Sequence, residues 1–169
     1  FQIGIKSEFN IDEHNFDVLV EYNQAQPYTY AHKHSMQNYT HMNQALAHPL
    51  GANFKENIFI INYNYKKWGT KLKYTYSEYG ADSVGTHFGQ NIFNSDFLAS
   101  GEGGEFSYGN YNGQGIFTNL HTLYAELNYD LKYAKAFAAC AIRNQTNKVN
   151  NAYFVLGIQT GFINPFIDF

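Results

Sequence analysis

Cysteine, proline and tryptophan are nearly missing from this sequence, and so are long apolar runs and any marked excess of one charge. The single cysteine, Cys140, closes no internal disulfide. Its setting, AKAFAACAIR, has no histidine or second thiol to activate it, which leaves a small buried or lipid-facing residue. No stretch approaches the roughly 20 apolar residues of a membrane-spanning helix. A formal net charge of −3 provides no basic field for phosphate backbones, so nucleic acid is set aside as a partner. The glycines form no phosphate-cradling loop and no serine sits in a nucleophile elbow, so neither a nucleotide cofactor nor serine catalysis is expected.

What the sequence does have is aromatic residues. Fifteen tyrosines and fifteen phenylalanines accompany a mean hydropathy of −0.43, a combination unusual for a packed soluble core. A strand-based membrane protein tolerates it, because only every second residue must be apolar. The length, 169 residues, suits one domain spanning residues 1–169.

Alternation with period two recurs in seven segments: 1–9, 16–24, 57–65, 70–79, 121–131, 132–143 and 152–162. In 57–65, Phe59, Ile61, Tyr63 and Tyr65 share one parity, with Asn62 and Asn64 on the other. In 70–79, Leu72, Tyr74 and Tyr76 oppose Lys71 and Lys73, and in 121–131, Leu123 and Leu127 oppose Glu126. Segment six is ambiguous in phase, with Lys135 and Arg143 sharing a parity. The seventh aligns Phe154, Leu156, Ile158 and Phe162. Glu21, Glu78 and Glu126 fall at the polar parity, where carboxylate pairs could work on glycosidic bonds but more commonly line a wet interior.

The connections alternate between short (10–15, 66–69, 130–132) and long (25–56, 80–118), as periplasmic turns and extracellular loops do in outer-membrane barrels. The expected fold class is therefore all-β: an antiparallel transmembrane β-barrel, of which these residues form seven strands with two long extracellular loops. That assignment places residue 1 at the extracellular end of its strand, so at least one earlier strand is expected. The localisation is the cell outer membrane, with outer-membrane lipid as the surrounding partner. A soluble β-sandwich gives similar alternation. Against it stand the tyrosines near strand ends (Tyr22, Tyr63, Tyr65, Tyr74, Tyr76, Tyr79, Tyr129 and Tyr133), the one-sided charges, and the terminal FIDF.

Residues 26–54, QPYTYAHKHSMQNYTHMNQALAHPLGANF, carry four of the seven histidines and few aliphatics. Such a loop must be ordered by aromatic packing and hydrogen bonds, and is expected to fold over the barrel mouth. Its polar groups and flat rings suit a saccharide. The candidate carbohydrate-binding residues are Tyr28, Tyr30, His32, His34, Tyr39, His41, Asn43, Gln44, His48 and Asn53. Plain packing of a lumen plug is the alternative. A metal is the sharper rival, since His32 and His34 would share a side of a strand, but the spacing to His41 and His48 fits no standard zinc pattern. In the second loop Asp82, Asp96, Glu102 and Glu105 lack the interleaving of a calcium loop. No catalytic residue, metal or cofactor is assigned.

The run NYTHMNQALAHPLGANF, led by QPYTYAHKH, resembles the capsule-assembly Wzi family of Gram-negative outer-membrane barrels, most specifically at Asn43, Gln44, Leu46 and His48–Asn53. The resemblance covers the C-terminal portion of that family. It implies a large barrel that holds surface capsular polysaccharide as a lectin rather than an enzyme. Service as an accessory barrel among other outer-membrane proteins is the second possibility.

Overall fold

A computed structural model describes residues 1–42, 44–98, 109–146 and 148–160. Asn43, Glu102, Glu105, Phe162 and the terminal FIDF lie outside the described residues. The chain forms strands β1 (Gln2–Ile11), β2 (His14–Ala25), β3 (Thr40–His41), β4 (Gln44–Ala45), β5 (Phe54–Tyr65), β6 (Trp68–Ala81), β7 (Ile116–Asp130), β8 (Ala134–Gln145) and β9 (Asn151–Thr160). Seven of them make one sheet in the order β1-β2-β5-β6-β7-β8-β9, every neighbouring pair antiparallel. These are the seven alternating segments, with ends moved by a few residues. The β3–β4 hairpin sits inside the first long loop and had no alternation long enough to reveal it.

The sheet is open: β1 and β9 are its outer strands, and among the described residues they do not pair with each other. Tight turns join the strands at one end. In two of them Asp12 and Lys66 adopt φ of 52° and 53°, the left-handed conformation that reverses a hairpin in few residues.

Register sorts the side chains into two faces. One row across the sheet reads Ile5, Val20, Phe59, Tyr74, Leu123, Ile142 and Ala152, and the next reads Ser7, Val18, Ile61, Leu72, Ala125, Cys140 and Phe154. This face is apolar yet bare, with Phe59 45% and Leu127 47% exposed. Aromatic rings mark both its ends. Toward the turns stand Phe9 on Phe16, Phe16 on Tyr63, His14 on Tyr65 and Trp68 against Tyr129; toward the loops stand Phe1 by Tyr22 and His121 between Tyr74 and Tyr76. The phase of segment six is settled here. Ala136, Ala138, Cys140 and Ile142 face the apolar side, and Lys135 and Arg143 the polar side.

The opposite face carries rows such as Glu8, Asp17, Asn62, Lys71 and Glu126. Glu78 does not belong to it. Its register partners are Lys55 and Asn119, on the parity of Tyr76, so it leaves the expected carboxylate set. Tyr79 is likewise corrected, because it lies on the polar face at 8% exposure, where Gln145 donates to its hydroxyl.

At the loop end the polar face is covered. Ala25, Phe54, Tyr79 and Leu120 are buried beneath Ala52 and Ile92, with Tyr30, Ala47, Leu50 and Ala81 packed around them. The small apolar core therefore sits under the long loops, while the rest of the polar face stays open.

Candidate functional site

The two long loops are hydrogen-bonded to the sheet end and to each other by a few side chains whose partners are mostly backbone groups. Asn53, fully buried, donates to the carbonyls of Gly80 (3.1 Å), Phe88 (3.2 Å) and Gln114 (2.9 Å), and its oxygen accepts the Gly113 amide at 2.7 Å. Asn112 donates to the carbonyls of Ala25 (2.6 Å) and Phe54 (2.9 Å). Asn38, also buried, accepts the His32 amide (2.6 Å) and donates to the carbonyls of Ile92 and Asn94. Asparagine suits such places because one side chain both donates and accepts, and it tolerates the left-handed backbone, as Asn53 does at φ 59°.

In the second loop Asp82 accepts the amides of Phe88 and Asn91 and lies 3.4 Å from His87 Nδ1. Burial pushes the Asp82 carboxyl up, but the hydrogen bonds from His87 and the two amides outweigh it and hold its pKa below the ordinary value. This carboxylate, weighed above for calcium, is already occupied in ordering its own loop.

Below the first loop lies a buried polar cluster. Glu56 accepts from Ser77 Oγ (3.0 Å) and from Asn23 (3.5 Å), and Asn23 also donates to Glu21 at 2.7 Å. His48 reaches Glu56 at 3.0 Å through Nε2, stacks on Phe54, and accepts the Leu50 amide at Nδ1. That amide fixes the tautomer with the proton on Nε2, aimed at the carboxylate. Glu56, Ser77 and Asn23 were not singled out in the sequence, although parity alone puts all three on the polar face.

The expected carbohydrate-binding residues divide into two groups. Four are engaged in packing. Tyr28 gives its hydroxyl to the His87 carbonyl (2.7 Å), Tyr30 stacks on Tyr39 at 5.9 Å, His48 is tied to Glu56, and Asn53 is the buried hub. Five stand exposed on the crest of the first loop: His32, His34, Tyr39, and the β3–β4 pair His41 and Gln44. The tenth, Asn43, lies outside the described residues. His32 and His34 are not in a strand, so the alternation that would align two imidazoles for a metal is absent. Among the described residues no three of His, Cys, Asp or Glu converge on one point.

The crest thus offers the ring of Tyr39 backed by Tyr30, three imidazoles and a carboxamide, together with Lys33 lying 5.2 Å over the Phe97 ring. It can bind through stacking and hydrogen bonds. No family model, curated protein or solved structure matches the chain.

Proposed function

We propose that these residues form an arc of a β-barrel in a bacterial outer membrane, and that the crest of the first long loop retains a surface polysaccharide without chemically altering it. The observation that carries the barrel reading is the bare apolar face bounded by aromatic rings at both ends. From Trp68 to Tyr76 on β6 the chain advances eight residues. At ~3.3 Å per residue and a tilt of about 40° this makes a band roughly 20 Å tall, close to the hydrocarbon layer of an outer-membrane barrel. An apolar face of this extent has no cover in water.

The open edges fit the same reading. An antiparallel sheet of seven strands leaves β1 and β9 running in the same direction. Antiparallel closure therefore takes an odd number of further strands. Unpaired edge groups in hydrocarbon cost several kcal/mol each, which favours closure.

The polysaccharide reading rests on the exposed chemistry of Tyr39, His41, Gln44, His32 and His34 and on the resemblance of this loop to capsule-assembly barrels. Sugar C–H faces lie on aromatic rings and their hydroxyls need paired donors and acceptors. The accessory-barrel reading draws on a different observation, the anchoring of both loops by Asn53, Asn38 and Asn112, which is what a plug requires. Retention of the cell's own capsular polysaccharide separates the two. Substituting Tyr39, His41 and Gln44 by alanine is expected to abolish retention while the barrel still folds. Unchanged retention would leave the plug.

A further inference from the structure

The charges of the polar face are sorted by strand. β1 and β2 carry Glu8, Asp17 and Glu21 against one cation, Lys6, which lies 2.6 Å from Glu8 and 3.6 Å from Asp17. Next comes β5, whose residues on this face below Glu56 are Ile58, Ile60, Asn62 and Asn64, an uncharged divider. On its far side Lys71 and Lys73 of β6 and Lys135 and Arg143 of β8 face two carboxylates of β7, Glu126 and, at the turn end, Asp130, which lies 3.5 Å from Lys135. Glu126 stands in register with Lys71 and accepts from the Tyr124 hydroxyl and the Asn128 amide. Among the described residues no carboxylate comes within ion-pair distance of Lys71, Lys73 or Arg143. Arg143 meets only the Gln145 side chain, at 3.2 Å.

The neighbours of these cations are equally specific. One register row reads Lys73, Tyr124, Ala141 and Tyr153, so a small alanine separates two tyrosines that lie roughly 10 Å apart across two strand spacings. Arg143 is on the same face of β8, two residues toward the loops from Ala141. A gap floored by alanine, flanked by two aromatic side chains and bordered by two cations without acidic partners matches a sugar ring bearing a carboxylate.

We propose that Lys73, Arg143, Tyr124 and Tyr153 form a subsite for a uronic-acid unit of an acidic saccharide on the polar face. Arg143 supplies the planar fork for the carboxylate and Lys73 a second charge. The proposal rests on reading the polar face as the barrel's inner wall. It adds to the crest a second contact, deeper in the barrel, for the same class of ligand.

The test is calorimetric titration of the detergent-solubilised protein with tetragalacturonate and with an uncharged tetrasaccharide, alongside vesicle flotation of the same preparation. The wild type is expected to bind tetragalacturonate in preference to the neutral sugar, more weakly as salt rises. The K73Q/R143Q pair is expected to weaken binding by about tenfold or more, while K6Q leaves it unchanged. Should the pair misfold, the single substitutions K73Q and R143K decide the matter in its place. No binding by the wild type, equal binding of the neutral sugar, or affinity indifferent to Lys73 and Arg143 overturns the subsite. If affinity is lost in Y39A/H41A but unchanged in K73Q/R143Q, the crest reading stands and the subsite falls. Failure to float with vesicles defeats the barrel reading, and the titration still decides the subsite.

Discussion

Replacing Asn53 by alanine removes at one position the contacts that bind the end of β6 to both long loops. The two amide hydrogens are shared among the carbonyls of Gly80, Phe88 and Gln114 at 2.9–3.2 Å, and the oxygen holds the Gly113 amide at 2.7 Å. Water does not reach this fully buried side chain, so the groups left behind find no substitute. A net hydrogen bond is worth about 1 kcal/mol, and each buried group left unpaired costs roughly 1–3 kcal/mol. Alanine also bears the left-handed φ of 59° less well than asparagine, by about 1 kcal/mol. Together these give a loss of roughly 3–6 kcal/mol, concentrated at the loop end. The aspartate variant tests the hydrogen assignment itself: it turns donors into a second acceptor facing three carbonyl oxygens, and is expected to be worse than alanine. Urea unfolding in lipid, with hydrogen exchange at the Gly113 and Gly80 amides, measures both effects. The reasoning fails if N53A unfolds within about 0.5 kcal/mol of wild type with the Gly113 amide still protected, or if N53D is milder than N53A.

Two further expectations follow. Because the Asp82 pKa is lowered on folding, its contribution is fully present above the ordinary value of 3.8 and is lost as pH falls through the lower folded value. Amide protection at Phe88 and Asn91 should therefore stay level from neutral pH to near 3.8 and decline below it, whereas D82N should show no such decline. Leu123, in the middle of the bare face, reports on lipid: L123R should cost about 2–4 kcal/mol of folding stability in bilayers if the face meets hydrocarbon, and under ~0.5 kcal/mol if it meets water.

The sheet was legible in the sequence because its signal is redundant. Each long strand repeats the same two-residue period five or six times, so Phe59, Ile61, Leu72, Leu123 and Leu127 identify a face even where a terminal residue is misjudged. Where redundancy gave out, so did the reading. Segment six, KYAKAFAACAIR, has alanine at both parities, and its phase is set by pairing with β7 and β9 rather than by its own residues. Glu78 and Tyr79 lie at the last turns of β6, where the parity rule still holds but the surroundings change. There the polar face stops being open and becomes the floor of the loop core, so Tyr79, at the odd parity of Lys71 and Lys73, is buried, while Glu78 has the even parity of Leu72, Tyr74 and Tyr76 and alternation itself puts it on their side.

The loops were harder to read for a chemical reason. An asparagine that recognises a sugar and an asparagine that clamps two peptide strands present the same donors and acceptor, and a sequence displays the groups without their partners. Asn53 and its loop neighbour Asn38 looked like ligand-facing donors and acceptors and are clamps, and Asn112, which was not singled out, is a clamp too. What separates the two roles is depth. The clamps are buried against backbone carbonyls contributed from far along the chain, such as Gln114 to Asn53 and Ile92 to Asn38. By the same measure, the residues left over at the crest (His32, His34, Tyr39, His41 and Gln44) are the ones whose side chains the fold does not bury, and a saccharide at the outer surface would have to use those. A loop fastened from below by three asparagines holds its crest in place with only the stacking of Tyr39 on Tyr30 drawn from the crest residues named above. Loss of a clamp should therefore weaken ligand retention indirectly, through loop order, while loss of a crest residue should weaken it with loop protection intact.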